Sequence, residues 1–122
     1  MRAVAAQVNR IGRHDAVIHN VAIGYQEPGR AETEDGLSRL FAVNTLAPYL
    51  LPALIEKPGR LICLSSGLHR SGDPETSDLQ WTGRRWNGMQ AYSDSKLHDC
   101  WIAFAMARRW PDVFSNALEP GW

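Results

Sequence analysis

Two residues of this chain can do chemistry together. Tyr92 and Lys96 stand four apart in A-Y-S-D-S-K, inside a stretch whose pattern predicts a helix from Gln90 to Met106. Side chains four apart share one helix face. An ammonium beside a phenol favours the phenolate and pulls its pKa below the usual value of about 10. A phenol so tuned exchanges protons near neutral pH. The bland alternative is an exposed tyrosine and lysine that merely share a face. The stripe that would bury this helix reads Leu97, Cys100, Trp101, Phe104 and Arg108. Asp94 and Asp99 read as acidic residues towards its start, with Arg108 and Arg109 at its end, an order that suits the helix dipole.

A second polar residue stands on an apolar stripe. Thr33-Glu-Asp-Gly36 reads as a helix start with Thr33 as N-cap, and the helix expected over 33–55 carries Leu37, Leu40, Phe41, Asn44, Ala47, Leu51 and Leu54 on one side. A buried amide needs hydrogen-bond partners. Pro48 lacks an N–H, so it cannot bond the Asn44 carbonyl four residues earlier. A helix kinked there offers both the amide and a free carbonyl, which suits an ordered water. A helix that ends near residue 47 would instead leave Asn44 capping a loop.

The remaining elements are short. Arg2 to Ile11 reads as a helix closed by Gly12. Asp15 to Val21 and Arg60 to Ser65 read as buried strands, and Ser115 to Leu118 as a third. Glu119-Pro-Gly-Trp122 reads as a turn. Leu68 to Met89 is polar and irregular, with Trp81 and Trp86 flanking Arg84 and Arg85; packing is the commoner use of such loop aromatics. Strands alternating with helices imply an α/β fold with a parallel sheet and right-handed crossovers. Asn20, Ser65 and Ser66 then sit at the C-terminal edge, where such sheets bind ligands. Two serines after a strand also suit a plain turn or helix cap.

Composition narrows the partners. The chain has 122 residues, no formal net charge and no strongly basic stretch, which argues against nucleic acid as a partner. Cys63 and Cys100 form no CxxC and indicate no disulfide framework; both suit a reducing, cytoplasmic setting. No metal site is expected. No apolar run is long enough to span a membrane.

In this order the residues resemble the short-chain dehydrogenase/reductase family. Asn44 in F-A-V-N-T, Ser66 in L-S-S, and Tyr92 with Lys96 match the family's Asn, Ser and Tyr-x-x-x-Lys. Pro120-Gly121 matches its Pro-Gly turn beside the nicotinamide. Asn20 matches the second Asn of Asn-Asn-Ala-Gly, where this chain reads His19-Asn20-Val21-Ala22; His19 reads as a packed strand-end histidine or, less commonly, a ligand. The segment between Ser66 and Tyr92 is similar to the retinol-dehydrogenase-like branch. The resemblance implies a single-domain Rossmann fold that uses NAD or NADP. It implies that Asn44, Ser66, Tyr92 and Lys96 are catalytic. It also implies that Asn20, Ala22, Tyr92, Lys96, Pro120 and Gly121 touch the cofactor. The substrate would be a small carbonyl or alcohol, and a homo-oligomer would form through helices 33–55 and 90–109.

The family's opening strand and glycine-rich turn, which cradle the pyrophosphate, have no counterpart in these residues. Its second, third and final strands are also missing. Residues 1–122 are therefore expected to be a C-terminal-half fragment of one NAD(P)-binding domain, a partial Rossmann fold of three parallel strands that is inactive alone. The alternative is a non-enzymatic remnant that serves as a protein-interaction module.

Overall fold

The computed structural model describes residues 1–121, so Trp122, the last residue of the expected turn, lies outside the described residues. The elements run α1 (Arg2–Ile11), β1 (Ala16–His19), α2 (Arg39–Phe41), a π-helical turn (Ala42–Leu46), α3 (Ala47–Leu54), β2 (Arg60–Leu64), a 3₁₀ turn (Gly67–Ser71), α4 (Gly88–Arg109) and β3 (Phe114–Leu118). The strands form one parallel sheet in the order β1-β2-β3. The α/β expectation and the parallel sheet are therefore both present.

Register aligns the strand ends. His19 pairs with Cys63, Cys63 with Ala117, and Leu64 with Leu118. All three strands consequently release their chains at one edge, next to Asn20, Ser65 and Glu119. The main apolar core lies between sheet and α4: Leu61 and Cys63 pack on Ile102, Ala103, Met106 and Val113. A second cluster, Leu40, Trp81 and Ala91, holds the long loop down, and Trp86 meets Trp81 edge-on at 5.7 Å. The two loop tryptophans thus pack the loop onto the body.

Three local readings change. The long helix does not begin at Thr33. Residues 33–37 close a small turn: Gly36 N–H donates to the Thr33 carbonyl at 2.9 Å, Gly36 has φ of 75°, and Glu32 and Ser38 bridge antiparallel. That φ suits glycine and interrupts a right-handed helix. Ser38 is the N-cap instead. Secondly, the residues before Pro48 widen into the π turn, with the Ala47 N–H reaching the Ala42 carbonyl. This is a common response where a helical hydrogen bond is lost, and the chain stays helical from 39 to 54.

The third change concerns α4. It is longer than 90–106, starts at the N-cap Asn87, and has no acidic residue in its first turn. Asp94 and Asp99 are buried mid-helix rather than serving the dipole. Of the expected stripe, Trp101 and Phe104 are exposed, whereas Ser93, Ser95, Lys96, Asp99, Ile102 and Ala103 are buried. The helix is covered on more than one side, by the sheet, by the 3₁₀ turn and by the 39–54 run. Small and paired polar residues fit those close contacts better than indole or phenyl rings.

Candidate active site

The site is built around Asn44 in the π turn and the first half of α4. Asn44 is 1% exposed. Its Oδ1 accepts from Ile23 N–H at 2.9 Å, and its Nδ2 donates to the Ile23 carbonyl at 3.0 Å and to Ser95 Oγ at 3.2 Å. Ser95 Oγ in turn donates to the Tyr92 carbonyl at 2.7 Å. One amide thereby joins the loop after β1, the 39–54 helix and the turn of α4 that carries Tyr92. This answers where a buried amide on that stripe finds its partners.

Lys96 is buried, with its ammonium turned towards the sheet. Nζ donates to the Leu64 carbonyl at 2.8 Å and to Asp99 Oδ2 at 2.9 Å, and it lies 5.6 Å from the centre of the Tyr92 ring. The Tyr92 ring meets Tyr25 edge-on at 5.7 Å. The spacing of four therefore does bring ammonium and phenol ring together. Ser65, not Ser66, is the serine tied to this helix: Ser65 Oγ donates to the Lys96 carbonyl at 2.8 Å and accepts from Cys100 Sγ at 3.4 Å. Ser66 caps the 3₁₀ turn, its Oγ accepting from Leu68 N–H at 3.3 Å, so the helix-cap reading of the serine pair is realised in the fold.

The remaining predicted positions stand at the same edge but more openly. Asn20 and Ala22 are exposed beyond β1. Pro120 and Gly121 are exposed beyond β3, Gly121 with φ of 71°. His19 lines a groove beside β1; burial holds its pKa below the usual imidazole value, and its Nε2 has no hydrogen-bond partner.

Two buried groups stand outside the predicted site residues. His98 meets Thr45 Oγ1 through Nδ1 at 3.1 Å and packs on Trp101, and burial keeps its pKa low against the opposing pull of Asp94. Asp99 pairs with Lys96; burial pushes its carboxyl up to about 6, although the ammonium opposes the shift. The available signal was its position three residues after Lys96, which shares the face as surely as four.

The donor set bears on a dinucleotide. An ammonium has three N–H donors, and protein atoms take two. The third has no protein partner among the described residues. A free N–H donor suits a hydroxyl of such a cofactor; the described residues hold no strand–glycine–helix turn for its pyrophosphate.

No protein-family model matches the chain. Individual proteins do. An uncharacterized oxidoreductase from Emericella nidulans is 39% identical over 99% of this chain and 46% of its own length. A short-chain dehydrogenase from Penicillium rubens is 36% identical over 99% of this chain and 47% of its own. Human retinol dehydrogenase 13 is 36% identical over 89% of this chain and 35% of its own. The chain thus spans about half the length or less of the curated relatives it matches. Among solved structures, an uncharacterized protein from Mycobacterium paratuberculosis superposes with a TM-score of 0.89 at 28% identity, covering 99% of this chain and 46% of that one. A short-chain dehydrogenase from Sphingobium yanoikuyae in complex with NADPH gives 0.67 at 21% identity over 94% and 43%, a likeness of fold.

Proposed function

We propose that this chain, a stretch of short-chain dehydrogenase/reductase by a likeness running through nearly all of it, is the C-terminal half of one NAD(P)-binding domain. The whole protein would be an oxidoreductase acting on a carbonyl or alcohol. One observation carries the reading: the Lys96 ammonium lies 5.6 Å from the Tyr92 ring at the C-terminal edge of a parallel sheet. When bound, a dinucleotide would supply or take the hydride. Tyr92 Oη gives a proton to the carbonyl oxygen in reduction, or takes one from the alcohol in oxidation. Lys96 stabilises the phenolate left behind and gives its third N–H to the ribose. Ser66 Oγ holds the substrate oxygen once it donates there while still capping Leu68. The Asn44 carbonyl, facing the N–H-less Pro48, holds a water for the lysine. Asn20, Ala22, Pro120 and Gly121 line the nicotinamide side.

Either NAD or NADP suits these contacts, since the described residues hold nothing that would read a 2′-phosphate. Unpaired Cys63 and Cys100 support a reducing, cytoplasmic setting; among the described residues no helix is long and apolar enough to cross a membrane. Exposed Tyr49, Trp101 and Phe104 on the two long helical runs support a homo-oligomer through them.

A second reading has its own observation. Among the described residues β1 pairs with β2 alone, and beside it lies an apolar groove lined by Val4, Val8, Ile18, Val21 and Leu51. Such an edge takes up another chain, which suits an interaction module. The discriminating experiment joins this chain in frame to the coding sequence upstream of Met1. NADPH- or NADH-dependent turnover of a ketone panel, lost in Tyr92→Phe, supports the oxidoreductase. Absence of turnover and of dinucleotide binding overturns it in favour of the module.

A further inference from the structure

Asp99 lies outside the Asn, Ser, Tyr and Lys positions of the proposed site, yet it makes the closest charged contact to Lys96. Along α4 the three residues Tyr92, Lys96 and Asp99 fall at steps of four and three, so they share one narrow face with Lys96 in the middle. Helical side chains lean towards the N-terminus, which carries the Asp99 carboxylate back onto the ammonium. Lys96 and Asp99 are 5% and 2% exposed. Their contact is 2.9 Å, and it is the one salt bridge among the described residues with both side chains under 10% exposed. We propose that Asp99 is a positioning residue that holds the Lys96 ammonium against β2 and sets how much positive charge reaches Tyr92.

The physics follows from the charge state. With Asp99 ionised, the ammonium belongs to a neutral pair, and Tyr92 faces a dipole. With Asp99 protonated, the same ammonium stands unscreened in a low-dielectric site, where a charge acts most strongly. It keeps the Leu64 carbonyl as anchor and loses the carboxylate that offset its charge. Burial raises the carboxyl's pKa to about 6, so the change falls within reach of ordinary pH. The charged and titratable groups facing Asp99 are few. On α4 itself it is Lys96; the Cys100 thiol is bound to Ser65 Oγ and the Asp94 carboxylate to Arg84. On β2 it is Cys63, whose thiol burial and then Asp99 push up to about 12, so it stays neutral throughout. β3 offers no titratable side chain. In the 3₁₀ turn His69 is bound to the Ser66 carbonyl and Arg70 is exposed. On the 39–54 run, Arg39 pairs with Glu27 and Tyr49 is exposed. His98 faces Thr45 and Trp101.

The inference bears on the same site as the proposed oxidoreductase but needs neither cofactor nor turnover to test. Infrared difference spectra of the 122-residue chain, with carboxyl-labelled aspartate and ring-labelled tyrosine, read monomer and oligomer alike. As pH falls through about 6, a protonated-carboxyl band should grow and a tyrosine ring band should shift with the same midpoint. The carboxyl band should vanish in Asp99→Asn, and the tyrosine shift in both Asp99→Asn and Tyr92→Phe. A tyrosine band that stays fixed while the carboxyl titrates overturns the proposal, as does a shift that persists in Asp99→Asn. The unsubstituted chain alone decides the first point, so a variant that fails to fold does not hide the answer. Lack of turnover in the extended protein would leave this result standing, and the reverse holds too.

Discussion

Replacing Asn44 by alanine should cost the fold about 3 kcal/mol. The figure comes from three hydrogen bonds, each contributing about 1 kcal/mol net. Ile23 N–H and carbonyl lose both their contacts, at 2.9 and 3.0 Å, and Ser95 loses one at 3.2 Å. Ser95 keeps its bond to the Tyr92 carbonyl, and Ile23 is only half-buried, so water recovers part of the loss there. That keeps the sum near 3 rather than near the full desolvation penalty of three orphaned groups. Asn44→Asp should be worse. It retains an acceptor for Ile23 N–H but aims a carboxylate oxygen at the Ile23 carbonyl in a site 1% exposed. Urea unfolding followed by far-ultraviolet circular dichroism at fixed protein concentration measures both. With a slope of ~1–3 kcal/mol/M, the alanine midpoint should fall by ~1–3 M at unchanged slope. Hydrogen exchange at the Ile23 amide should quicken in parallel. A loss under ~1 kcal/mol with Ile23 still protected would refute the clamp, and with it the account of how Tyr92 is held relative to the loop after β1.

Three further outcomes follow from the same structure. In the in-frame extended protein, Tyr92→Phe should abolish nearly all turnover and leave dinucleotide affinity within a few-fold by calorimetry; comparable turnover would remove Tyr92 from its role. The 122-residue chain should associate through the open edge of β1, where Ile18 is 56% exposed, and bind NADH and NADPH weakly by calorimetry. Ile18→Lys should lower the mass seen by light scattering, and an unsubstituted monomer of micromolar dinucleotide affinity would contradict both halves. Finally, Asp99 has a folded pKa of about 6, above the unfolded carboxyl's ~3.9. The folded chain keeps that proton longer, so the Asp99 contribution to stability is fully present below about 4 and is lost as pH rises through 6. His19 and His98, held neutral by burial, act in the opposite sense over the same range, so the fall is read from the difference in denaturant midpoint between the unsubstituted chain and Asp99→Asn from pH 4 to 7, where the histidines cancel.

Much of the fold was legible because it rests on local patterns. α1 and the three strands are marked by apolar runs, glycines and prolines within a few residues of their ends, and alternation of strand and helix already implies a parallel sheet. The pairing of Tyr92 with Lys96 was legible for the same reason, since a spacing of four fixes a shared face whatever surrounds the helix. Asn44 stood out as a polar residue on an apolar stripe, though nothing in the chain named Ile23 and Ser95 as its partners. Those lie 21 and 51 residues away, and only the packed fold brings them together.

Other features depended on what covers each element. Thr33 has the right type for an N-cap, but the bridge between Glu32 and Ser38 and the left-handed Gly36 moved the cap to Ser38. The α4 stripe failed because periodicity assumes one buried face, whereas this helix meets the sheet, the 3₁₀ turn and the 39–54 run. Trp101 and Phe104 were left outside as a result, and Lys96 and Asp99 were drawn in. A charge pair with both members nearly inaccessible is a tertiary event: each side chain is an ordinary surface residue by type, and desolvation appears only once the sheet closes over them.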